Sequence, residues 1–97
     1  MDRQFQIALL EKKIGGDWGR SSVQTLSRAM DIRELVSILD EPYLALDDIA
    51  MEIETMSGTA IGMGDELLSE DEVLFLNSRL NELRNMFLSV SMSSKLD

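Results

Sequence analysis

"LLSEDEVLFLNSRLNELRNMFLSVSM", residues 67–92, decides the fold. Ser69 and Glu72 stand at the spacing where a serine hydroxyl and a glutamate carboxylate satisfy each other's backbone N–H groups at a helix start. Leu68 and Val73 flank that capping box at the spacing of a hydrophobic staple. Val73, Leu76, Leu80, Leu83, Phe87 and Val90 then follow in alternating steps of three and four, which predicts a long amphipathic C-terminal helix over about 70–91. The opening acids Glu70, Asp71 and Glu72 suit the positive end of its dipole.

Working outward, "SMSSKLD" reads as a frayed tail at 93–97, and the glycines of "SGTAIGMG" read as a flexible loop at 57–64. Upstream of that loop, Leu46, Ile49, Ile53 and Met56 give a helix over about 42–56, with Pro42 in its first turn. Ser21 and Gln24 open an earlier helix as a second capping box, and Val23, Leu26 and Met30 share its face. Ile32, Leu35, Val36 and Leu39 point to the opposite side, so a break at Asp31 is expected, with Asp31 capping a new helix. Ile7, Leu10 and Ile14 mark a first helix over 3–14, ended by Gly15 and Gly16. No β alternation and no internal repeat accompanies these patterns. The expectation is a single all-α domain over 1–97, a small helical bundle of four to five helices.

Composition narrows the function. The 97 residues contain no Cys and no His, which removes thiolate chemistry, disulfides, zinc sites of the usual ligands and the commonest general base. Only carboxylates or a lysine remain for catalysis, so no enzyme, cofactor or metal site is expected; a carboxylate-dependent or hard-metal reading stands as the most distant alternative. "DELLSEDE" lacks the alternation of a calcium loop, and "GTAIGMGDE" lacks the lysine and preceding strand of a phosphate loop. No apolar run is long enough to span a bilayer, and the N-terminal apolar stretch is short with an acid at position 2, so a cytoplasmic protein without membrane contact is expected.

Charge is distributed unevenly. Residues 1–33 carry a net +2, residues 34–78 hold twelve acids and no base, and residues 79–97 carry +1, within an overall −9. "VQTLSRAMDIRELVSIL" resembles a helix-turn-helix in outline only, since the stretch 32–40 has one base against two acids, and direct nucleic-acid binding is not expected. Asp47, Asp48, Glu52 and Glu54 exceed what caps and dipoles require and form a candidate steering surface for a partner with a basic or mixed apolar-basic surface. Leu74, Leu88 and Met92 lie off the main apolar seam of the C-terminal helix, beside an uncharged row of Asn77, Asn81 and Asn85. Trp18, the single tryptophan, is either a lid over the core or an exposed binding residue. Together these predict a small acidic helical protein–protein interaction module: an adaptor, chaperone-like subunit or regulator, acting alone or as a homo-oligomer. The alternative is an inhibitor whose acidic face mimics nucleic acid and blocks a basic groove.

Overall fold

The computed structural model describes residues 2–16 and 18–96, with side chains as far as Ser91. Among the described residues it has four helices, α1 (Arg3–Ile14), α2 (Ser22–Ser37), α3 (Glu41–Gly62) and α4 (Glu70–Leu96), and no strand beyond an isolated Ser21–Leu67 bridge. The all-α class expected from periodicity is observed, in its four-helix form.

The expected break at Asp31 does not occur. Helix α2 runs through it, and Asp31 instead pairs with Lys13 of α1 at 3.0 Å. The buried face of α2 is Ser22, Thr25, Ala29, Ile32 and Val36, a single seam in steps of three and four, while Val23 and Met30 are about half exposed. The first half of that seam is small and hydroxylic, so it carries no hydrophobic signal. Its polar atoms are satisfied locally: the Thr25 hydroxyl donates to the Ser21 carbonyl at 2.8 Å, and Ser22 Oγ lies 2.8 Å from the carbonyls of Asp65 and Glu66.

The expected loop at 57–64 is helical through Gly62. Ser57 is fully buried, and its hydroxyl donates to the Ile53 carbonyl at 2.9 Å, so it needs no partner outside the helix. Gly58 faces Leu26 of α2, and Ala60 is buried, so small residues here serve packing between helices. The stop comes at Gly64, whose φ of 87° places it in the left-handed region. Its N–H donates to the Ile61 carbonyl at 2.9 Å, and the Asp65 N–H donates to the Ala60 carbonyl at 2.8 Å, the pair of bonds that closes a Schellman motif.

Helix α4 begins as expected from its capping box: the Ser69 N–H donates to Glu72 Oε1 at 2.7 Å and the Glu72 N–H to Ser69 Oγ at 3.3 Å. Leu76, Leu80, Leu83 and Phe87 are buried, with Val73 and Val90 packed beside them. The backbone stays helical to Leu96, where a frayed tail was expected from residue 93; Asp97 lies outside the described residues. At about 1.5 Å of rise per residue, α4 spans most of the 46 Å long axis.

Helix α1 packs beside α2 and α4, and α3 packs beside the same two. Arg3 of α1 meets Asp40 of the α2–α3 turn at 2.9 Å, and Tyr43 of α3 meets Phe87 of α4 with ring centroids 6.4 Å apart. These contacts gather one end of an up-down-up-down bundle. At the other end the Ser22 N–H donates to the Glu66 carbonyl and the Leu68 N–H to the Arg20 carbonyl, stitching the α1–α2 and α3–α4 connections together.

Helix α1 is far shorter than α4, and the chain that follows it fills the gap. Gly15, Gly16 and residues 18–21 run along α4 as a strap, tied at Gly16, whose carbonyl accepts from Arg84 at 3.1 Å, and at Arg20, which donates to the Leu68 carbonyl at 2.9 Å. Trp18 projects from the strap into the core, 5% exposed, with Nε1 donating to the Ile14 carbonyl at 3.2 Å. Arg28 of α2 stacks on its ring, 4.7 Å from the centroid, and donates to the carbonyls of Lys13 and Gly15, so one guanidinium caps α1 and covers the tryptophan.

Candidate functional site

The four acids singled out for steering do not form one free surface. Asp47 and Glu54 clasp Arg33 of α2, with Arg33 Nε 3.0 Å from Asp47 Oδ1 and Nη1 2.8 Å from Glu54 Oε2. The hydrogen bond to Glu54, then that to Asp47, raises the Arg33 pKa further above its ordinary value. Glu52 Oε2 lies 2.8 Å from Arg79 Nε of α4 but off the N–H axis, so that contact is an ion pair without a hydrogen bond. Only Asp48 of the four is exposed and makes no ion pair among the described residues. Three of the four carboxylates thus hold helices together.

Burial removes Trp18 from any docking surface. Leu74 and Leu88 are 67% and 52% exposed, and Asn77, Asn81 and Asn85 are exposed with them. At about 100° per residue, Leu74 lies nearly opposite the core seam of α4, and the asparagine row drifts about 40° per step, starting on the flank that faces the strap. The Met92 side chain lies outside the described residues.

On the other flank of α4, the structure brings together residues that are distant in sequence. Met51, Thr55 and Met56 of α3 and Phe75 of α4 form the apolar floor of an open groove of about 580 Å³, with Glu52, Asp71 and Glu72 around it. Met51 and Phe75 are each 43% exposed, a large apolar area to leave in water on so small a domain. The rim is fixed: Glu52 is held by Arg79, and Glu72 by the two bonds of the capping box. The Ser69 backbone N–H, with the Ser69 side chain, lowers the Glu72 pKa, so its negative charge persists to more acidic pH. No family model, curated protein or solved structure matches the chain.

Of the groove's residues, only Glu52 was among the expected partner-binding set. Met51 and Phe75 carry a weak sequence signal, being apolar residues off the main seams of α3 and α4. Their proximity depends on how the two helices pack, which periodicity along one helix does not encode. Among the described residues no three acidic side chains converge to hold a metal ion, and no helix is long and apolar enough to cross a membrane.

Proposed function

We propose that the chain is a small acidic protein–protein interaction module, an adaptor, chaperone-like subunit or regulator, whose α3–α4 groove receives an apolar-basic amphipathic helix of another protein. The observation that carries this reading is the pairing of an apolar floor, Met51, Met56 and Phe75, with the carboxylates Glu52, Asp71 and Glu72. Exposed methionines adapt to varied apolar shapes, and a groove between two helices suits a third laid along it with anchors at i, i+3 or i+4, and i+7. Lys or Arg flanking those anchors would meet the acidic rim, and the net charge of −9 would speed the encounter.

The test uses a designed Leu/Lys amphipathic helix of roughly 18 residues, long enough to form on binding, titrated against the protein while methionine methyl resonances are followed. Met51 and Met56 should shift first. Phe75→Ala and Asp71→Lys, both at exposed positions, should each weaken binding about tenfold or more, since one anchor or one charge pair is worth on the order of 1–2 kcal/mol. Leu74→Asp, on the far flank, should bind as the parent does. Parent-like binding by the Phe75 and Asp71 variants, or loss confined to Leu74→Asp, would overturn the reading in favour of the outer face of α4.

A further inference from the structure

We infer that the cleft between the strap and α4 is a binding site for a small oxyanion, a carboxylate or phosphate group carried on a small molecule. The cleft, about 420 Å³, is walled by Trp18 and Arg20 from the strap side and by Asn77, Asn81 and Arg84 from α4. That volume lies within the range of small-molecule sites. In a chain with eighteen acids and nine bases, the described walls of this pocket carry two arginines and no carboxylate.

Neither arginine has an acidic partner among the described residues, whereas Arg3, Lys13, Arg33 and Arg79 all make ion pairs. Each spends one Nη2 on a backbone carbonyl, Arg20 on Leu68 and Arg84 on Gly16, which fixes the guanidinium planes. The other N–H groups of both forks stay available, and planar forks match the oxygens of carboxylate or phosphate. Asn77 and Asn81 add carboxamide N–H donors without adding charge. The uncharged polar row on α4 thereby acquires a role for its first two members. An acid at either position would cancel the site.

Trp18 lines the cleft and is the only tryptophan, so its fluorescence reports on occupancy. Inorganic phosphate and succinate, titrated separately at constant ionic strength, should produce a saturable change, with a midpoint on the order of 1 mM for two or three charge-assisted hydrogen bonds. The stronger of the two ligands identifies the oxyanion as phosphoryl or carboxyl. Arg84→Gln should raise the midpoint at least about tenfold. Asn81→Asp, at an exposed position that makes none of the strap's contacts, should abolish saturation while leaving the melting transition in place. Lys12→Gln, an exposed charge on α1, should titrate as the parent. A response that is linear in both ligands, or that persists unchanged in Asn81→Asp, would overturn the site.

Discussion

At the residue scale, the most informative side chain is Glu72. Its carboxylate accepts from the Ser69 N–H, its own backbone N–H donates to Ser69 Oγ, and it rims the groove. Its pKa is lowered in the folded protein, so it contributes stability above the unfolded-state value, and that contribution is lost as pH falls through the lower folded value. In urea unfolding, Glu72→Gln should therefore be less stable than the parent at neutral pH and indistinguishable from it at acid pH, the other carboxylates cancelling in the comparison. A constant gap at all pH values would mean that the carboxylate's charge is irrelevant to the cap. Ser69→Ala should cost about 1 kcal/mol at neutral pH. This cap was legible because both partners lie within four residues of sequence. The clasp of Arg33 by Asp47 and Glu54 was not legible, since it joins two helices across the α2–α3 turn.

At the element scale, the long helices α2 and α3 show why apolar periodicity located segments but misplaced their limits. In α2 the core seam passes through Ser22 and Thr25, whose hydroxyls are satisfied within the fold and which pack as small residues. The apolar signal sits instead on Val23 and Met30, both exposed, and their placement opposite Ile32 and Val36 mimics a change of face and a break. In α3 the three glycines of 58–64 differ in kind: Gly58 and Gly62 are helical, and Gly64 alone needs its positive φ. A Cβ on Gly58 would meet Leu26 Cδ1 at 3.9 Å, an ordinary contact. Gly58→Ala should accordingly stabilise the protein by about 0.5–1 kcal/mol, through reduced backbone freedom in the unfolded chain. Gly64→Ala should destabilise it by roughly 1–2 kcal/mol, because an L side chain resists the left-handed conformation. Thermal melts of the two variants should move in opposite directions. A loss of stability in Gly58→Ala would show that α2 and α3 approach there too closely for a methyl group. The C-terminal helix posed no such problem, since Leu76, Leu80, Leu83 and Phe87 are both apolar and buried.

At the scale of the whole molecule, the bundle has three long walls and one composite wall, α1 continued by the strap. Trp18 closes that wall, and nothing in "GGDWGR" announces it, because a tryptophan between glycines reads equally well as an exposed anchor. What decides it is the length mismatch between α1 and α4, together with Arg28, which caps α1 and stacks on the indole in the same act. The arrangement predicts a graded response. Trp18→Ala opens a large cavity and should cost about 3–5 kcal/mol, a substantial part of the 5–15 kcal/mol that holds a domain of this size. Trp18→Phe keeps most of the buried area but leaves the Ile14 carbonyl without the indole N–H, and should cost distinctly less. Arg28→Met preserves the aliphatic cover while removing the α1 cap, and should expose the amides at the C-terminal end of α1 to hydrogen exchange before those of α3. If Trp18→Ala instead lost under about 1 kcal/mol in urea unfolding, the strap would be a dispensable loop. The oxyanion cleft, which shares that wall, would then lack the rigid side on which its two arginines depend.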